Sequence, residues 1–208
     1  MLMISQISSA SARHYLPTRA QAARWHGQAA LRLGLHGAVM PGQLDALWEW
    51  GWRYDLPDLP FLPTATTPRP DKATPPPAGF IFGFSLPPTL AEPDDLNNPG
   101  FQEALQETAS TVLETVEAAS QTWFRDGRQL DRRSTGNLLW ITPLQNKPRP
   151  GRTALPYVSC FVFNVTWDPL EARWKSLRLA AVKQRRTEYQ QLFCDTLKER
   201  LEGHVNAG

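Results

Sequence analysis

The chain is poor in the side chains that metal and nucleophile chemistry needs. It has four histidines in 208 residues, His14, His26, His36 and His204. None stands at an HxH, HxxxH or HExxH spacing that would put two imidazoles on one ion. Its two cysteines, Cys160 and Cys194, are far apart and form no CxxC pair, which excludes a zinc knuckle or a disulfide framework. Two reduced thiols fit a cytoplasmic protein. There is no GxGxxG, no GxxxxGK[ST] and no GxSxG, so phosphate-cradling loops and the nucleophile elbow are absent. No apolar run approaches a transmembrane length, and Met1 to Ala12 lacks the basic flank and apolar stretch of a signal peptide. Excess charge of one sign is missing too. The formal net charge is +2, which permits a polyanionic partner without announcing one.

What is present is enough apolar material for a core, 41% of the residues. Met1 to Ile7 alternates like a strand, and Ala10 to Leu16 reads as a short helix or turn. Arg19 to Leu33 reads as a helix with Ala22, Trp25, Ala29 and Leu33 on one face, stopped by Gly34. Pro41 to Trp50 reads as a further short helix. Pro57 to Pro77 holds eight prolines, which remove backbone donors and forbid helix or sheet. An aromatic group, Trp48, Trp50, Trp52, Tyr54 and Phe61, borders this stretch. It reads as a flap packing its own rings or as a surface for a protein partner. Gly79 to Leu86 has the β-branched and aromatic density of a buried strand. Phe101 to Trp123 is the clearest helical pattern. Gly136 to Ile141 and Tyr157 to Val165 read as strands, and Leu179 to Leu201 as a last amphipathic helix. The whole predicts an α/β (α+β) sandwich, one domain over residues 1–208 interrupted by the Pro-rich loop 57–77.

Basic residues fall in three groups: Arg125, Arg128, Arg132 and Arg133; Lys147, Arg149 and Arg152; and Lys183, Arg185 and Arg186. Each alone is ordinary solvated charge, but together they could follow a phosphate backbone. The residues alone yield no catalytic constellation and imply no cofactor. His14 beside Tyr15 is the one pairing of note.

Taken together, the segments resemble the relaxase domain of the TrwC/TraI (MobF) conjugative relaxases, HUH endonucleases. Ala23 to Ala30 with Leu33-Gly34-Leu35-His36-Gly37 is similar to the family's W-x-G-x-x-A-x-x-L-G-L-x-G segment. Gly79 to Thr89 is similar to its G-x-D-x-T-F-S-x-P-K-S strand and turn. Thr135-Gly136-Asn137-Leu138 matches its T-G-N-L, and Cys160 to Thr166 with Trp174 and Leu177 matches the strand after its H-x-H pair. The resemblance implies an antiparallel palm-like sheet covered by helices. It implies strand nicking through a tyrosine, with three histidines holding a metal. The site positions depart from that pattern. The first metal histidine falls on Gln145 and the H-x-H pair on Tyr157 and Ser159. The strand aspartate falls on Ile81, the lysine after the proline on Pro88, and the tyrosine on His14, with Tyr15 next to it.

The expectation is therefore a relaxase-like domain with no confident catalytic residue and no metal site, retaining single-stranded DNA affinity through Arg132, Arg133, Lys147, Arg149 and Arg152. The rival readings are a protein-interaction module at Trp48, Trp50 and Trp52, a residual nickase using Tyr15, and a vestigial product without function. No membrane contact is expected.

Overall fold

A computed structural model describes residues 2–20, 22–40, 42–44, 77–87, 89–90, 98–144 and 157–205. Trp48, Trp50, Trp52, Gln145, Lys147, Arg149, Arg152, most of the expected 41–50 helix, the Pro-rich stretch up to residue 76 and the 146–156 loop lie outside them.

The chain runs through β1 (Met3–Ile7), α1 (Ser9–Arg19), β2 (Arg24–His26), α2 (Gln28–Arg32), β3 (Gly37–Ala38) and β4 (Gly79–Ser85). It continues with α3 (Pro99–Ala118), β5 (Gln121–Asp126), β6 (Gln129–Ser134), β7 (Trp140–Leu144) and β8 (Tyr157–Phe163). The last elements are β9 (Thr166–Asp168), β10 (Arg173–Lys175), α4 (Ala180–Gln184) and α5 (Arg186–Val205). Six strands form one sheet in the order β1-β4-β8-β7-β2-β3. Every pairing in it is antiparallel. β5 with β6 and β9 with β10 make two further ribbons.

Alternation along the central strands assigns the two faces. Phe80, Phe82 and Phe84 of β4, with Val158, Cys160 and Val162 of β8, enter one apolar cluster. The buried stripe of α3 and the α5 residues Tyr189, Phe193 and Leu197 close that cluster. The intervening residues Phe161 and Phe163 enter a second cluster with Trp25, Ala29, Ala30 and the α1 residues Ala12 and Leu16. The long helices thus cover one face, and the N-terminal helices pack on the other.

α3 begins where Asn98 accepts a hydrogen bond from the Gly100 amide at 2.9 Å, with Pro99 in the first turn. The expected helix to Trp123 is too long by five residues, since α3 ends at Ala118. Ala119 and Trp123 continue the helical period by coincidence, and the β-prone Thr122-Trp123-Phe124 instead pairs with β6. The expected helix from Arg19 to Leu33 is also corrected. Its centre is strand β2, with Trp25 opposite Ile141, flanked by positive φ at Ala22 and Gly27. Three residues are too few to show a period of two. The strand foreseen at 136–141 starts later, at Trp140.

Two motif residues hold these pieces together. Gly27 adopts φ +96°, and a Cβ there would overlap the Leu138 carbonyl oxygen and the Trp140 ring. Asn137 donates to the carbonyls of Thr135 at 2.8 Å and Trp167 at 2.9 Å. Its Oδ1 accepts from the Trp167 amide at 2.7 Å and the Thr166 hydroxyl at 3.0 Å. The Thr-Gly-Asn segment is therefore a clasp between the lead-in to β7 and β9. Glu117 completes it. Its Oε1 accepts from the amides of Gln28 at 2.8 Å and Leu138 at 2.7 Å. Burial raises its pKa against the pull of these two amides.

Candidate functional site

Of the positions singled out in the sequence, Ile81 and Ser159 lie on the two central strands. Ile81 is paired with Ser5 of β1 and Phe161 of β8, and Ser159 with Gly83 of β4 and Leu144 of β7. Both have the parity of Phe161, so both belong to the α1-side face. Their register makes them diagonal neighbours, with Cα atoms roughly 7–8 Å apart. Tyr157 stands opposite Ser85 at the β8 end. Gln145 follows Leu144 directly and lies outside the described residues.

Helix α1 starts at Ser8, whose hydroxyl accepts from the Ser11 amide at 3.1 Å. It carries His14 exposed to solvent and Tyr15 packed, partly buried, against the second apolar cluster. Ile81 packs against the same cluster, and Ser159 is 1% exposed. The positions matched to the family's site thus fall on one sheet face and on helix α1. What stands there is mostly hydrocarbon.

The donor set does not fit the three-imidazole centre that the resemblance implies. Ile81 has no donor atom, and Ser159 offers a neutral hydroxyl. His36 is exposed after α2, and His204 lies near the end of α5. His26 points away from this face. It stacks on Trp140, ring centroids 5.7 Å apart, and Trp140 belongs to the helix-side cluster. Burial and the neighbouring Arg24 lower its pKa. Its Nε2 is buried without a hydrogen-bond partner among the described residues. Among the described residues no group of three His, Cys, Asp or Glu is placed to hold a metal ion.

The cationic features lie on the β5–β6 ribbon. Asp126 pairs with Gln129 across a two-residue turn in which Gly127 has φ +56°. Arg125, Arg128 and Arg132 are exposed along it. Trp123 lies beneath two guanidinium groups, Arg132 at 5.3 Å and Arg178 at 5.5 Å from its centroid. Arg133, expected to meet phosphate, is turned onto the protein. It sits 4.1 Å from the Phe124 centroid and donates to both oxygens of Asp168 at 3.0 and 3.1 Å. Lys175 is 2.8 Å from the same carboxylate and also pairs with Glu171. Asp168 is fully buried. Burial alone would raise its pKa, but Lys175, Arg133 and the amides of Leu170 and Glu171 hold it down at about 2. The ribbon is therefore clamped to the β9–β10 turn. Sequence reasoning had the basic residues but not the ribbon. The signal was the Asp126-Gly127 pair after Thr-Trp-Phe, a short-hairpin signature.

Comparison with known proteins follows this geometry. The conjugative relaxase TrwC in complex with mutant OriT DNA superposes with a TM-score of 0.78 at 16% identity, over 99% of this chain and 70% of that one. A metal-free structure of TrwC in complex with OriT DNA gives 0.78 at 18% identity, over 98% and 70%. A metal-bound TrwC complex with OriT DNA gives 0.77 at 18%, again over 98% and 70%. These define a relaxase-type fold. The family model for the TrwC relaxase matches residues 5–206, and the chain belongs to that family. No curated protein matches it.

Proposed function

We propose that this chain is a single TrwC-family relaxase domain that binds single-stranded DNA without nicking it. The observation that carries the reading is the content of the α1-side face, where Ile81 and Ser159 stand at the positions of the family's aspartate and a metal histidine. Strand transfer needs a nucleophile and a cation that offsets charge on the scissile phosphate. An isoleucine in an apolar cluster and a buried serine hydroxyl supply neither. His14 replaces the tyrosine by the motif alignment, and Tyr15 is packed against the core.

The support for DNA binding is the family membership together with the cationic ribbon. A ribbon with exposed guanidinium groups offers the positive charge that a single strand's phosphates attract. Arg125, Arg128 and Arg132 are the contacts proposed on it. Lys147, Arg149 and Arg152, which precede β8 in the sequence, are proposed as further contacts, and Arg133 serves the ion pair with Asp168 instead. The guanidinium planes over the half-buried Trp123 ring would supply stacking. With a net charge of +2, affinity is expected at about micromolar level in low salt, fading near physiological ionic strength. The free thiols Cys160 and Cys194 fit a reducing cytoplasm. No helix of the described residues is long and apolar enough to cross a membrane.

The test is fluorescence anisotropy with labelled single-stranded oligonucleotides over a salt series. A log–log slope near −0.7 per phosphate contact is expected, flattened when Lys147, Arg149 and Arg152 are changed to alanine. No binding even at low salt would overturn the DNA reading.

A further inference from the structure

We infer that the sheet face on which the family places its metal centre has become structural core in this chain, and that no divalent ion contributes to its stability. The inference rests on the alignment used above for Ile81 and Ser159, and it concerns folding rather than DNA.

Helix α1 presents Ala12, Tyr15 and Leu16, three residues at helical spacing, to this face. They meet the cluster that holds Phe161 and Phe163, both fully buried, and Ile81 packs against it from the next strand. Ile81 lies beside Phe161 across the β4–β8 register. A site built for a divalent ion must keep carboxylates or imidazoles together and partly solvated until the ion offsets their charge. Here Ser159 offers one buried neutral hydroxyl at a ligand position, and Ile81, where the family has its aspartate, is a branched alkyl group. Ile81 is partly buried, and the cluster it packs against, with Ala12 and Leu16 of α1 and the rings of Phe161 and Phe163, is apolar without any ion. An aspartate at position 81 would set a carboxylate against this apolar cluster, at a position only partly open to solvent. Restoring the family residue is therefore destabilising in this background.

Thermal unfolding of the purified full chain tests this. Wild type should give the same Tm in EDTA and in millimolar Mg²⁺ or Mn²⁺. Ile81→Asp should lose roughly 5–10 °C, and neither ion should restore it. Ile81→Val should stay within roughly 3 °C of wild type. If Ile81→Asp does not fold at all, the loss is in the expected direction, and the wild-type metal series still decides the rest. A wild-type Tm raised by roughly 5 °C or more by Mg²⁺ or Mn²⁺ would overturn the inference, as would an Ile81→Asp protein as stable as wild type or rescued by metal. The DNA reading is measured separately by anisotropy on wild type, so each can fail while the other stands.

Discussion

Asp168 has no contact with solvent and two cations on it, so its ionisation is tied to folding. Its pKa of about 2 lies below the ordinary carboxylate value. A depressed acid stabilises the fold above its unfolded pKa and loses that contribution as pH falls through the folded one. The loss should therefore develop between about pH 4 and pH 2, and it amounts to about 2 kcal/mol at neutral pH. Asp168→Asn removes the charge and leaves Arg133 and Lys175 facing an amide. It should cost about 2–4 kcal/mol at pH 7, with a smaller difference from wild type at pH 3, as read from urea unfolding. A flat difference across that range would refute the assignment. Cys160 shows the opposite case. Burial pushes its thiol up to about 12, so native protein should resist alkylation there until it unfolds, while Cys194 is half-buried and reacts sooner. Gly27 is the third residue whose chemistry is plain. With positive φ and no room for a Cβ, Gly27→Ala should cost about 3 kcal/mol in a denaturant melt. A neutral effect would mean that the Leu138 to Trp140 segment can move aside.

At the level of elements, the sequence was most legible where periodicity ran long. β4 and β8 were read from their aromatic and β-branched density, and α3 from its repeat of apolar residues at steps of three and four. The clasp residues Gly27 and Asn137 were legible only as motif letters. Their work is done by hydrogen bonds and close approach between segments 30 or more residues apart, which no local pattern encodes. β2 was hidden because a strand of three residues carries too little alternation, and its Trp25 happened to fit a helical face. The β5–β6 ribbon was hidden because the apolar period of α3 ran on into it. The positions Ile81 and Ser159 were singled out by resemblance alone, since nothing in their residue types marks a site. The ribbon gives this scale its prediction. Arg125→Ala, Arg128→Ala and Arg132→Ala combined should weaken single-stranded DNA binding at least roughly tenfold at low salt and reduce the salt slope by about 2. Their Tm should be unchanged, because none of the three carries an ion pair among the described residues. Arg133→Ala should do the reverse, lowering Tm through Asp168 more than it lowers affinity.

The whole molecule is a TrwC-family scaffold, and the proposal is that one of its sheet faces has lost the family's chemistry. Sheet order, the Thr-Gly-Asn clasp and the Trp-x-Gly turn are retained because they set the fold. An apolar replacement on that face is stabilising, because it removes the cost of holding polar ligands apart from water. On that proposal, binding and cleavage are separable in this chain. The most direct measurement incubates the protein with single-stranded oligonucleotides in Mg²⁺ or Mn²⁺, at a salt concentration where anisotropy shows the complex formed. The products are then resolved on a denaturing gel. Intact oligonucleotide and no covalently shifted protein band are predicted. A cut strand with a protein–DNA adduct that disappears in Tyr15→Phe would contradict the account.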